Sequence, residues 1–422
     1  MARSPSDHST SNTIERRSRS VTLESFEMMR VLGKGCAGKV LLVREKKTGE
    51  LMALKAITKR HVLAHRELAH TRTEQSVLKA CARDAPNPFI VRLHYSFHDE
   101  ETLYLALDFH PGGDLATQLA RWGRLGRDRA RFYICEIIEG VESLHPAGVI
   151  YRDLKPENVL ISATGHCVLT DFGFASTPPS SDWLLDNRET TMSFCGTAEY
   201  LAPEVLLGEP YSYEVDVYAA GTMLYEMLAG VTPFYASDHA SMYRRVLHDE
   251  LSFESAEEEF DPNTRTLLRG MLQRDPLLRI TIPRLKRMPY FDLISWDLIL
   301  TQRYMPPFVP QLDPLNPADL SWFDDAYLSM PAEIKGEDPE DEPGGGREAP
   351  AGDAQPALDD SGRDVFDGCT LGHDLAAIVR TLIAPFACRF LLRPRSCVHP
   401  RRRCRSLRRL LYAAAGGTGQ PV

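Results

Sequence analysis

The tightest constraint on this chain is an ordered series of short motifs: Gly33-Lys34-Gly35-Cys36-Ala37-Gly38, then Lys55, then Asp153 to Asn158, then Asp171-Phe172-Gly173. The glycine run lies between two strand-like runs, where missing Cβ atoms let backbone amides approach a phosphate chain. A helix after such a run would suggest a dinucleotide fold, but a strand follows, and Met52-Ala53-Leu54-Lys55 stands at the distance of the next strand. Lys55 can then reach phosphates, provided a helical carboxylate holds its ammonium. Glu67 and Glu74 compete for that role, and Glu74 is preferred because it puts Leu78 one turn later on the core side. Within Tyr151-Arg152-Asp153-Leu154-Lys155-Pro156-Glu157-Asn158, Asp153 can accept a hydroxyl proton, Lys155 can compensate a transferring phosphoryl group, and Asn158 can bind a metal. Thirteen residues beyond Asn158, Asp171 offers an anionic ligand. Two oxygen ligands suit magnesium, which keeps its other positions for water and phosphates.

The periodicity changes along the chain. Runs at Phe26 to Leu32, Lys39 to Arg44, Leu51 to Ile57, Val91 to Phe97 and Thr102 to Leu107 are strand-like, around a helical stretch near Glu67 to Ala80. After Pro111-Gly112-Gly113 the period turns helical, at Asp128 to Leu144, Val215 to Leu228 and Thr264 to Leu272. The pattern predicts an α+β molecule: a small sheet with one major helix, then a larger, mainly helical lobe. After Phe291 a proline-punctuated aromatic segment runs to near Met330 and is expected to lie against both lobes. Residues 1–24, rich in Ser, Thr and Arg, and Glu333 to Asp367, rich in Glu, Asp, Pro and Gly, are expected to be disordered. Leu371 to Val422 joins an apolar patch, Ile378 to Leu392, to an Arg-rich run, Arg393 to Arg409. This stretch reads either as an amphipathic membrane-surface or nucleic-acid-binding tail or as an unstructured one.

With 422 residues, 43% of them hydrophobic, the chain can build a sizeable core. Its net charge of −9 understates the acidity of the body, because ten Arg and a single acid fall after residue 370. Such acidity suits basic partners, or serves solubility alone. No apolar stretch has bilayer length and the N-terminus has no hydrophobic leader core, so a cytoplasmic or nuclear address is expected. The nine cysteines form no CxxC pair, which points to reduced thiols rather than to disulfides or a zinc site.

Together these motifs resemble those of the eukaryotic protein kinase family, from about Phe26 to Met330. Within it the chain is similar to the AGC group: Tyr151 opens the Asp153 loop, Phe194-Cys195-Gly196-Thr197 precedes Glu199-Tyr200-Leu201-Ala202-Pro203-Glu204, and Pro306-Pro307-Phe308-Val309-Pro310 follows. The resemblance implies a bilobal fold at 25–291, with a small lobe at 25–107, a hinge at 108–114 and a large lobe at 115–291. A tail at 292–331 and disordered acidic then basic residues at 332–422 would follow. ATP would sit in the cleft, its phosphates under Gly33, Gly35 and Gly38 and its adenine among Leu32, Val40, Ala53, Leu107, Leu160 and Thr170. Asp108, His110 and Asp114 would line the hinge side, and Phe323, in Trp322-Phe323-Asp324-Asp325, would tether the nucleotide. Magnesium would bind Asn158 and Asp171, with Asp153, Lys155, Lys55 and Glu74 as the catalytic set. Asp216 resembles the buried anchor of the catalytic loop and Arg279 the partner of Glu204.

Lys155 and Thr197 imply Ser/Thr rather than Tyr specificity. Asp114, Glu157 and Glu226 match positions that pair with arginines preceding the target, and Phe194, Ala198 and Leu201 would line an apolar slot after it. Expected partners are therefore basic Ser/Thr proteins, together with an upstream kinase acting on Ser193, whose phosphate would meet Arg152 and His70. A monomer is expected. Two departures from the family pattern stand out: Ser176 replaces a basic residue, and Ala37 replaces an aromatic at the tip of the glycine run.

Overall fold

The computed structural model describes residues 21–35, 37–65, 67–83, 87–175 and 198–334. Five antiparallel strands form the first layer: β1 (Phe26–Gly35), β2 (Gly38–Glu45), β3 (Leu51–Thr58), β4 (Leu93–His98) and β5 (Thr102–Asp108), in spatial order β1-β2-β3-β5-β4. Between β3 and β4 come a short α1 (Lys59–Ala64) and the major helix α2 (Leu68–Arg83). The pleat divides β3 cleanly. Met52, Leu54 and Ala56 enter one cluster with Phe26, Leu41, Val43, Phe97 and Tyr104, while Ala53 and Lys55 point the other way and are half-buried.

The second lobe is mainly helical. It begins with α3 (Leu115–Trp122) and α4 (Arg127–Leu144), continues through the hairpin β6 (Val159–Ile161) and β7 (Cys167–Leu169), and resumes with α5 (Pro203–Leu206) and α6 (Glu214–Ala229). Then follow α7 (His239–His248), α8 (Pro262–Met271), α9 (Ile282–Leu285), α10 (Trp296–Leu300) and α11 (Asp325–Leu328). Helix α6 is buried almost throughout, which explains a sequence apolar on nearly every face. Gly221 on it faces Met271, where a Cβ would lie 2.8 Å away, so the glycine sets how closely α6 and α8 approach.

Every long element expected from the periodicity is present, with ends moved by a few residues. Helix α2 runs on to Arg83, and β4 begins at Leu93 rather than Val91. Helices α1 and α7 and the β6–β7 hairpin were not foreseen; α1 and the hairpin strands are too short to carry a period. The packed chain also extends further at both ends than its composition indicates. Val21, Leu23, Ala332 and Ile334 all pack against the outer cluster of the small-lobe sheet. The segment after Phe291 lies against the body as expected: Trp322 is buried, and Phe308 and Trp322 meet Trp122 at centroid distances of 5.2 and 5.9 Å. At Gly113 (φ +70°) a Cβ would sit 2.7 Å from the Trp322 carbonyl oxygen, so only glycine lets the tail cross there.

Candidate active site

The antiparallel register places Ala53 opposite Leu107 on β5 and Lys55 opposite Val40 on β2. Lys55 Nζ donates to Glu74 Oε1 at 2.7 Å and to Asp171 Oδ1 at 3.1 Å. Glu74 is buried beside a buried Leu78, whereas its rival Glu67 lies 3.9 Å from His61. Burial works against the Lys55 charge, but Asp171 and Glu74 outweigh it and hold the ammonium pKa above its usual value. Lys55 in return holds the Asp171 carboxyl below the ordinary carboxylate range.

Asp171 reaches Lys55 from a left-handed backbone (φ 57°), and Arg152 has a similar conformation (φ 66°). Such residues cost on the order of 1–3 kcal/mol each and persist only where the surroundings enforce them. Here Asp216, itself buried, accepts from the backbone amides of Tyr151 (3.0 Å) and Arg152 (2.9 Å) and pairs with His145 Nε2 at 2.9 Å. Phe172 is fully buried edge-on against Tyr151, whose hydroxyl donates to the Thr170 carbonyl. The Arg152 guanidinium donates to the Phe174 and Ala175 carbonyls and to the Tyr211 hydroxyl.

Within the loop so anchored, Lys155 Nζ lies 3.0 and 2.9 Å from the two Asp153 carboxylate oxygens, and Asn158 Nδ2 donates to Asp153 O and Oδ2, both at 2.8 Å. Burial pushes the Asp153 carboxyl up against the opposing pull of Lys155 and Asn158. Because Asn158 spends its amide nitrogen on Asp153, its carbonyl oxygen is left as an acceptor. Among the described residues no cluster of three or more His, Cys, Asp or Glu could hold a metal by itself. Asn158 and Asp171 together offer hard oxygen donors, a set that fits magnesium completed by phosphate and water oxygens.

A Cβ on Gly33 or Gly35 would meet nothing within 4 Å, so the space beside the β1–β2 turn is open there. Gly38 answers a different need, since its Cβ would fall 1.9 Å from the Ala56 carbonyl oxygen and break the pairing of β2 with β3. Leu32, Val40, Ala53, Leu160 and Thr170 are each half-buried, and Leu107 is buried at the end of β5, directly before Asp108 and His110. Phe323 stacks on Phe109 of the hinge at 6.0 Å, which puts the tail beside the segment joining the lobes.

The acidic residues sort differently. Asp114 caps α3, accepting from Thr117 N at 2.7 Å, so one of its oxygens is committed to its own helix. Glu226 receives the Tyr200 hydroxyl, and burial, reinforced by Glu199 and Glu157, pushes its carboxyl up to about 7. Glu157 is exposed, Ala198 is buried and Leu201 is half-buried. Ser193, Phe194 and Thr197 lie outside the described residues. Sequence reasoning missed the part Tyr200 plays: the residue stood inside a motif, and nothing local signals that its hydroxyl ends on a helix 26 residues away.

The protein kinase domain family matches residues 26–291 of the chain. The chain is 42% identical over 313 residues to a RAC family serine/threonine-protein kinase homolog of Dictyostelium discoideum, covering 74% of this chain and 67% of that protein. It is 40% identical over 311 residues to the serine/threonine-protein kinase Sgk2 of Homo sapiens, covering 72% and 80%. It is 40% identical over 314 residues to the serine/threonine-protein kinase YPK1 of Saccharomyces cerevisiae, covering 74% of this chain but only 44% of the yeast protein. The chain thus spans about half the length, or less, of several fungal relatives that it matches.

Proposed function

The chain belongs to the protein kinase family and, within it, to the AGC serine/threonine kinases, and on that premise we propose that it transfers the γ-phosphoryl group of ATP to Ser or Thr hydroxyls in Arg-rich proteins. The observation that carries this reading is Lys55 bonded at once to Glu74 and Asp171, across the cleft from the Asp153–Lys155–Asn158 cluster. Phosphoryl transfer has a loose transition state, which rewards aligned oxygens and compensated charge. Lys55 and Lys155 supply cations at the two sides of the transferring group. Asp153, tethered by Lys155 and Asn158, orients the attacking hydroxyl and accepts its proton. Asn158 and Asp171 would hold magnesium, which would supply positive charge to offset the charge that develops during transfer. Val40, Ala53, Leu107 and Leu160 exclude water around the base, and Phe323 closes its outer edge.

Arginines before the target would pair with Glu157 and Glu226, and an apolar side chain after it would meet Ala198 and Leu201. The Asp114 cap leaves that residue a lesser part in recognition than its position in the motif implies. Control is assigned to Ser193, phosphorylated by an upstream kinase. Its phosphate would pair with Arg152 only by competing with the Phe174 carbonyl and the Tyr211 hydroxyl that now occupy the guanidinium. The reading includes a monomeric enzyme of the cytoplasm or nucleus; among the described residues no helix is long and apolar enough to cross a membrane. Incubation of the activated protein with radiolabelled ATP, magnesium and an Arg-rich Ser peptide is expected to label the peptide, and Asp153→Ala is expected to abolish labelling. An activated preparation that transfers no label would instead favour a kinase-fold scaffold that acts by docking.

A further inference from the structure

The segment joining the lobes is pinned at both ends. Upstream, Asp108 N donates to the Arg92 carbonyl at 3.1 Å; downstream, Gly112 N donates to Ile161 O at 3.0 Å and Ile161 N to Gly113 O at 2.9 Å. Phe109, His110 and Pro111 lie between these pins, on the span proposed to receive the nucleotide base. Two histidines bear on this span in opposite states. On β4, His94 Nε2 lies 2.6 Å from Asp108 Oδ1. A carboxylate only accepts, so this nitrogen carries the proton. Arg92 Nη2 stands 3.4 Å from the same oxygen but on a half-exposed side chain, so His94 is the tighter holder. The basic side chains that face Asp108 are His94, Arg92 and His110; burial opposes its charge, but the His94 hydrogen bond and the pull of these groups keep the carboxyl below its ordinary value.

His110 is the contrasting case. Its Nε2 is buried with no hydrogen-bond partner among the described residues, and burial depresses the imidazole pKa while Asp108 pulls it up. A buried polar atom without a partner is costly, so it will take an acceptor or donor that comes within reach. The Asp108 carboxylate, two residues away, is such a group once released from β4. We propose that His94 is a positioning residue for the nucleotide: by holding Asp108 on β4 it keeps that carboxylate from turning to His110, and so fixes the backbone of residues 108–110 on which the base docks. The proposal rests on the kinase reading above.

The test measures equilibrium binding of a trinitrophenyl ATP analogue beside the steady-state KM for ATP. His94→Leu is expected to weaken nucleotide binding and raise the ATP KM about tenfold, with kcat and the peptide KM within about twofold of wild type. His94→Gln, whose amide can donate from nearly the same place, is expected to recover most of that loss. In a His110→Leu background the effect of His94→Leu is expected to shrink below about threefold, because the competing partner is gone. Nucleotide binding unchanged in folded His94→Leu, or an equal loss in both backgrounds, overturns the proposal. Should the leucine variant not fold, His94→Ala carries the same test, with an expected weakening of similar size and an unchanged affinity as the contrary result. If the wild-type chain labels no peptide, the kinase reading fails, while the binding arm still decides the claim about His94.

Discussion

In the large lobe Asp153 is fixed by groups withdrawn from water, whereas in the small lobe Lys55 depends on one buried partner and one at the edge of the cleft. The loop that carries Asp153 hangs on Asp216, which is 1% exposed and receives two backbone amides and an imidazole. Below it, the Arg279 guanidinium meets both oxygens of Glu204 at 2.6 and 2.8 Å, and it also donates to the Gln273, Glu214 and Arg274 carbonyls. Lys55 has one buried partner, Glu74, and one partly open to solvent, Asp171, at 43% side-chain exposure. The difference teaches that the side proposed to accept the proton is preset by the fold. The side proposed to hold phosphate is assembled across the lobes by charges whose strength depends on how much water the cleft admits.

The comparison breaks most visibly at Arg279. Arg279→Leu leaves Glu204 buried and unpaired and is expected to destabilise the protein by about 3–5 kcal/mol, read from the midpoint of a denaturant titration. Next in size, Lys55→Met and Asp171→Asn are expected to stay folded yet lose about a hundredfold in kcat, since each removes one electrostatic stabiliser of the transfer. Wild-type turnover in either folded variant would count against that role. The Glu226 carboxyl supplies a smaller, pH-dependent effect. Pairing with a substrate arginine requires the carboxylate, and with a pKa of about 7 that form is lost as pH falls. The KM for an Arg-containing peptide is therefore expected to rise on acidification through pH 7, approaching tenfold per unit. Glu226→Gln should flatten that dependence. Smallest of all, Asp114→Asn preserves the α3 cap and is expected to change peptide KM by less than about threefold; a tenfold loss would restore Asp114 to substrate recognition.

What the sequence disclosed follows from which chemistry is locally encoded. The meeting of Lys55 with Glu74 and Asp171, and of Asp153 with Asn158, was legible because the proposed transfer calls for those side-chain types in that order and because Leu78 marks the buried face of α2. The five strands were legible as short apolar runs, although β5 is buried on both faces rather than one. Contacts settled by distant chain segments were not legible. Gly38 belonged to the phosphate run by sequence, but its lack of a side chain answers to the Ala56 carbonyl on β3. Asp114 matched a recognition motif, yet one carboxylate oxygen serves the amide of Thr117. The β6–β7 hairpin has three-residue strands, and Ala332 and Ile334 sit in an acidic, proline-rich context, so pattern carried no signal for either. Phe194, Thr197 and Ser193, expected from the resemblance, lie outside the described residues.

The claim beneath all of this is that oxygens and ammonium groups from both lobes act on one nucleotide. Calorimetric titration of ATP into the wild-type protein and into Asp171→Asn, each with and without magnesium, addresses it directly. Magnesium is expected to strengthen ATP binding to the wild-type protein and to lose that effect in Asp171→Asn. The same magnesium dependence in both proteins would contradict the assignment of Asp171 and, with it, the convergence of the two lobes on a shared phosphate.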